Sequence, residues 1–155
     1  MKLSKNLSLA EVTKSATAKR RGIANEPTIE HLENLKAVAE NIFQPIREEF
    51  MCPIFVSSGY RSEALNEAIG GSKTSQHSTG QALDLDADVY GVITNADIFN
   101  YIIDRLTFDQ LIWEFGTDEN PDWVHVSFNK ENRNRLQVLK AVRKDGKTKY
   151  EFYAG

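Results

Sequence analysis

Apolar residues recur at threes and fours from Ile29 through Leu32, Leu35, Val38, Ala39, Ile42 and Phe43 to Ile46, which predicts a long amphipathic helix capped by Thr28. Pro45 predicts a kink or split near residue 44, because a proline inside a helix removes a backbone donor and crowds the preceding turn. Upstream, Ser8-Leu-Ala-Glu11 has the form of a capping box and opens a short helix toward Ser15. Residues 16–27 are polar, basic at Lys19-Arg20-Arg21, and end at Pro27; they read as a loop.

Downstream the period shortens. Ile54-Phe-Val-Ser57 is a short β-type run, and Ser58-Gly59-Tyr60-Arg61-Ser62 turns out of it. Ser62 caps an expected helix over 63–69 that Gly70-Gly71 ends. The polar stretch from Gly70 to Gly80 reads as a loop. Gln81-Ala-Leu-Asp-Leu-Asp86 then alternates, with Leu83 and Leu85 on one face and Ala82, Asp84 and Asp86 on the other. Thr94 with Asp97 opens another helix, apolar at Ile98, Tyr101, Ile102 and Leu106. Strands are expected at about residues 109–115 and 123–128, and a hairpin from Leu136 to Tyr153 turns at Asp145-Gly146. Helices first, then strands mixed with helices, predict an α+β fold built on a small antiparallel sheet flanked by helices.

At 155 residues the chain is long enough for one self-sufficient core, and residues 1–155 are expected to form a single domain. The 41% hydrophobic and 26% charged residues are an ordinary globular mixture, and a net charge of −3 gives no reason to expect a nucleic-acid partner. No stretch approaches the roughly 18 apolar residues of a membrane span, so no membrane insertion is expected. Met1-Lys-Leu-Ser-Lys-Asn-Leu lacks the apolar core of a secretory signal, which predicts synthesis in a cytoplasm without a recognisable leader. A monomer is expected. Cys52, beside Pro53 and Ile54, reads as a small buried hydrophobe; its rival role is nucleophile of a cysteine hydrolase.

Two of the three histidines carry the chemistry. His77 is followed by Asp84 seven positions on, and His125 is preceded by Asp122 three positions before. Two imidazoles and a carboxylate are the ligand set of a hydrolytic zinc site, which keeps a fourth position for water. His77, Asp84 and His125 can supply those ligands, His77 from the glycine-bounded loop, Asp84 from the following strand and His125 from a neighbouring one. His31, near Glu30 and Glu33 at the start of its helix, reads as an exposed surface histidine.

The run Ser75-x-His77-x-x-Gly80-x-Ala82-x-Asp84 with the later Asp122-x-x-His125 resembles the zinc D-Ala-D-Ala carboxypeptidase and L-Ala-D-Glu endopeptidase family. This group includes vancomycin-resistance D,D-dipeptidases and several phage endolysins, and shares its fold with the Hedgehog signalling domain. The likeness extends to Ser58–Ser62 and Gly70-Gly71-Ser72, from about residue 55 to residue 128. It implies a Hedgehog/DD-peptidase-like fold, and a zinc metallopeptidase that hydrolyses peptidoglycan stem peptides at the bacterial cell wall. Whether as an L-Ala-D-Glu endopeptidase or a D-Ala-D-Ala carboxypeptidase stays open, as does a phage-derived lysin role.

The resemblance also implies roles. His77, Asp84 and His125 match the zinc ligands and Asp122 the general base. Arg61 matches an arginine facing the scissile carbonyl or a substrate carboxylate, and Ser75 a serine bonding substrate or a ligand. Three residues along an ideal strand would put Asp122 and His125 on opposite faces, so Asp122 must lie in a bend before the strand. Glu114, among large apolar residues, is the competing base, since burial would raise its pKa toward a useful value. Trp123 alternates onto the face of His125 and either walls a cleft against substrate or packs in the core. The stretch 130–149 carries Lys130, Arg133, Arg135, Lys140, Arg143, Lys144, Lys147 and Lys149 against Glu131 and Asp145. That basic run either holds anionic wall polymer or is the solvated side of a hairpin. The alternative to an enzyme is a non-catalytic zinc-binding module of the same fold.

Overall fold

The computed structural model describes residues 1–154 as a mixed α+β fold. A two-stranded N-terminal ribbon, β1 (Lys2–Ser4) and β2 (Leu7–Ser8), leads into α1 (Leu9–Thr13). Ser8 and Glu11 form the expected reciprocal capping box. The segment expected to be a loop instead holds a helix, α2 (Ala16–Arg21), because Ser15 caps its start and Gly22 ends it in the left-handed region. Lys19, Arg20 and Arg21 sit in its last turn, where cations suit the negative end of the helix dipole.

The long apolar stripe forms α3 (Ile29–Val38), a π-helical turn (Ala39–Phe43) and α4 (Gln44–Phe50). Pro45 does not break this path. The turn before it widens so that the Gln44 N–H bonds to the Ala39 carbonyl, five residues back, and Pro45 occupies the first turn of α4, where no intrahelical donor is needed. Leu35, Val38, Ile42 and Ile46 are buried as the spacing predicts, whereas Ile29 at the N-terminal end is exposed.

The remaining elements are β3 (Phe55–Ser58), α5 (Glu63–Ala68), a 3-10 turn (Gln76–Thr79), β4 (Ala82–Asp86), a second 3-10 turn (Ala87–Val89), α6 (Asn95–Arg105), β5 (Gln110–Glu114), β6 (Trp123–Ser127), β7 (Gln137–Lys144) and β8 (Lys147–Phe152). Six strands form one sheet in the order β3-β4-β6-β5-β7-β8. The sheet is not purely antiparallel as the sequence suggested: β7 runs parallel to β5, after the chain crosses from β6 to the far side of β5.

Leu83 and Leu85 of β4, Val124 and Val126 of β6, and Leu111 and Trp113 of β5 project from one face into the core with Leu35, Val38 and Ile42 and with Ile98, Phe99 and Ile102 of α6. Alternation then sends Asp84, His125, Glu114 and Trp123 to the opposite face. Cys52 is buried, as its apolar neighbours predicted. His31 is not a free surface side chain: its Nδ1 lies 3.1 Å from the Tyr60 hydroxyl. No helix among the described residues is long and apolar enough to cross a membrane.

Candidate metal centre

The strand register brings the ligand types together. Asp84 of β4 is the direct partner of His125 of β6, so their side chains share a face, and Asp84 Oδ1 lies 3.1 Å from His125 Nδ1. His77 reaches the same carboxylate oxygen from the 3-10 turn, with its Nε2 at 3.2 Å. The three ligand atoms lie within 4.8 Å of one another, and both imidazoles are buried.

Local structure fixes His77. Ser75 caps the turn by accepting a hydrogen bond from the His77 N–H, and Gly80 closes it with φ +77. A Cβ at Gly80 would stand 2.5 Å from the His31 carbonyl oxygen, so only glycine lets the turn pack so closely on α3. The His77 carbonyl accepts from the Arg61 N–H at 3.1 Å, which ties the turn to the segment after β3. On the ring, Nδ1 faces the Gly59 carbonyl at 2.7 Å. A carbonyl can only accept, so Nδ1 carries the proton and Nε2 presents a lone pair.

That lone pair points at a carboxylate oxygen. Two acceptors facing each other at 3.2 Å are stable only with a proton or a cation between them. Ligands of a tetrahedral zinc, with bonds of about 2.0–2.1 Å, stand about 3.3 Å apart, close to the 3.1 and 3.2 Å found at Asp84. The residues present therefore fit a divalent ion. Of the buried side-chain polar atoms without a partner among the described residues, His125 Nε2 belongs to this cluster, and Gln76 Oε1 and Ser78 Oγ belong to the residues flanking His77 in sequence.

Electrostatics separate Asp84 from Glu114 on this face. Burial acts to raise the Asp84 carboxyl, but positive charge on the two imidazoles, and donation from them, overcome it and hold the group well below the usual carboxylate range. Asp84 is thus anionic, as a ligand must be. Glu114 is pushed the other way, up to about 7, first by burial and then by the Asp84 charge, with His125 opposing. It pairs directly with Trp123, and its strand neighbour Ile112 pairs with His125, which sets Glu114 one diagonal step from that ligand. Asp122 lies in the bend before β6, as its spacing from His125 required, and is exposed. Its N–H donates to the Glu114 carbonyl at 2.9 Å.

Arg61 follows β3 at the other flank of the cluster, beside a groove of about 480 Å³ that Tyr60 also lines. Burial lowers its guanidinium pKa while Asp84 acts to raise it. Trp123 is half-buried and packs against Phe115, with ring centroids 5.5 Å apart. It lines a cavity of about 530 Å³ together with Asp122, Ala141 and Arg143. In the basic C-terminal stretch, Lys130, Arg135, Lys140 and Lys144 are paired with Glu33, Asp109, Asp118 and Glu151.

One participant escaped sequence reasoning. Asp109, at the entrance to β5, accepts from the Arg135 backbone and guanidinium and, at 2.8 Å, from Gln76 Nε2. Against the effect of burial, Arg135 and Gln76 hold its carboxyl below the ordinary value. Gln76 immediately precedes His77, so this carboxylate ties the ligand-bearing turn to the sheet and to the segment before β7. A partnership across 33 positions leaves no local pattern in a sequence.

Comparison with known proteins adds three findings. The family model described as peptidase M15 matches residues 5–127. Among solved structures, the L-Ala D-Glu endopeptidase ChiX of Serratia marcescens is similar at 21% identity and a TM-score of 0.39, over 68% of this chain and 90% of that one. No curated protein matches the sequence.

Proposed function

The chain belongs to the peptidase M15 family, and from that premise we propose that it is a zinc-dependent hydrolase of peptidoglycan stem peptides, with a Hedgehog/DD-peptidase-like fold. The observation that carries the reading is the convergence of His77 Nε2 and His125 Nδ1 on Asp84 Oδ1, with a second, buried carboxylate, Glu114, on the same face of the sheet. Two nitrogen donors and one carboxylate are a donor set suited to zinc. The substrate class rests on the motif from Ser75 to Asp84 with its partner at 122–125. An L-Ala-D-Glu cut and a D-Ala-D-Ala cut both fit it, and a phage-derived lysin is the role we favour.

When bound, the ion supplies Lewis acidity, which polarises a scissile carbonyl and makes water acidic enough to attack near neutral pH. His77, Asp84 and His125 hold it. We assign the general base to Glu114 rather than Asp122. Glu114 is buried on the ligand face, one diagonal step from His125, where its carboxylate can accept the proton of the attacking water and return it to the leaving amine. Asp122, exposed at the rim, is better placed to meet solvent or an outer part of the substrate. Arg61 steadies negative charge on the carbonyl oxygen or pairs with a substrate carboxylate. Ser75 acts through His77 as the cap of its turn, and Trp123 walls the cleft.

The test is to incubate purified protein with defined muropeptides, with and without chelator, and to identify fragments by mass spectrometry. Fragments of a single peptide-bond cut that vanish with chelator support the reading and name the bond. Intact muropeptides in the zinc-loaded sample contradict it.

A further inference from the structure

The C-terminal hairpin lies beyond the residues that the family model matches, yet the register carries it onto the face of the candidate site. Glu114, Ala141 and Tyr150 are direct partners across β5, β7 and β8. Their side chains therefore leave the same face in one row, a row that Trp123 of β6 extends on the other side. Beside it runs the ligand row, in which Asp84 and His125 are followed by Ile112, Leu139 and Phe152.

The small residue at the centre matters. Ala141, between Glu114 and Tyr150 in that row, carries only a methyl group and is wholly buried. Tyr150 retains 57% of its surface and Phe152 79%, so two aromatic rings form a ledge open to solvent along β8. Burial, and behind it the Glu114 and Asp84 carboxylates, push the Tyr150 phenol up. Both carboxylates are thus within electrostatic reach of the hydroxyl, which stays protonated through the neutral range and can donate.

We propose that Tyr150 is a substrate-binding residue whose hydroxyl donates a hydrogen bond to a carbonyl or carboxylate oxygen of the bound peptide, on the opposite flank of the ligand cluster from Arg61. The inference rests on the peptidase reading above. In the strand order, Arg61 follows β3 at one end and Tyr150 stands on β8 at the other. From β4 to β8 is about 19 Å at about 4.8 Å per strand, the length of about six residues of extended peptide. A peptide laid across the strands meets the ligand pair, then Glu114, then Tyr150. The same ledge offers Phe152 to an apolar part of the chain.

The test compares wild type, Tyr150→Phe and Glu114→Gln, all loaded with zinc, on one defined muropeptide. Initial rates give kcat/KM, and calorimetric titration of the uncleaved muropeptide into Glu114→Gln and into the Glu114→Gln, Tyr150→Phe double variant gives affinity. Phenylalanine keeps the ring and removes only the hydroxyl. Tyr150→Phe is expected to lower kcat/KM about tenfold and to weaken binding in the Glu114→Gln background, with zinc content and Tm unchanged. A variant within twofold of wild type in both readouts, while wild type cleaves, overturns this inference and leaves the peptidase reading intact. A wild type that neither binds nor cleaves the muropeptide overturns both.

Discussion

Asp84 and His125 are direct partners across β4 and β6, with Asp84 Oδ1 3.1 Å from His125 Nδ1. Strand pairing alone thus supplies two of the three candidate ligand atoms, and alternation keeps both off the hydrophobic face. The third comes from a capped 3-10 turn rather than a free loop. This division explains which substitutions damage the site and which damage the fold.

The choice of base separates two carboxylates. Glu114→Gln should keep zinc and lose turnover by about 100-fold or more, the scale of a lost general base, while Asp122→Asn loses less than tenfold. Steady-state rates on a muropeptide, with zinc content measured alongside, decide it. The reverse ranking moves the proton transfer to Asp122.

The raised pKa of Glu114 also predicts a pH-dependent stability in the metal-free protein. The folded state holds this proton up to about 7, whereas the ordinary value is 4.5. The stability linked to the neutral carboxyl is therefore fully present below pH 4.5 and is lost as pH rises through about 7. Urea denaturation in chelator should show wild type losing stability relative to Glu114→Gln across that window, by up to about 3 kcal/mol. A difference that stays flat with pH contradicts the buried, neutral placement of Glu114.

Asp109 anchors the ligand turn through Gln76. Asp109→Ala removes the acceptor for Arg135 and Gln76 together, and should cost about 2 kcal/mol of stability. It should also weaken zinc about tenfold, as loss of groups supporting a ligand commonly does. Zinc titration against a competing chelator checks this, with Lys140→Ala, an ion pair on the other face of the sheet, as the control. Unchanged affinity in a folded Asp109→Ala protein would show that His77 is held by its own turn alone.

Gly80 combines a left-handed backbone with a close approach to the His31 carbonyl. Gly80→Ala should therefore destabilise the protein by at least about 1 kcal/mol and displace His77 from Asp84. Thermal denaturation and zinc affinity should fall together. A stable variant with full affinity would contradict the packing described between the turn and α3.

Much of this was legible in the sequence, for identifiable reasons. The alternation of Gln81–Asp86 placed Asp84 opposite Leu83 and Leu85, and the capping boxes at Ser8 and Thr94 appear as expected. The bend at Asp122 followed from the spacing to His125. Other features lacked a local signal. Helix α2 buries only Ala18, so no apolar stripe announced it, and its caps Ser15 and Gly22 were the available clue. The N-terminal ribbon contributes only Leu3 and Leu7 to the core, too little for a period to show. The parallel pairing of β5 with β7 depends on the path of the segment after β6, which spacing does not encode. The relative placement of Glu114 and Asp122 depended on registers that only the folded sheet supplies.

Zinc stoichiometry in the purified protein, and in His77→Ala, Asp84→Asn and His125→Ala, tests the central claim most directly. Elemental analysis after dialysis should find one zinc per chain in wild type and almost none in each folded variant. Wild type that retains no zinc, or variants that retain it undiminished, would contradict a centre built from these three side chains.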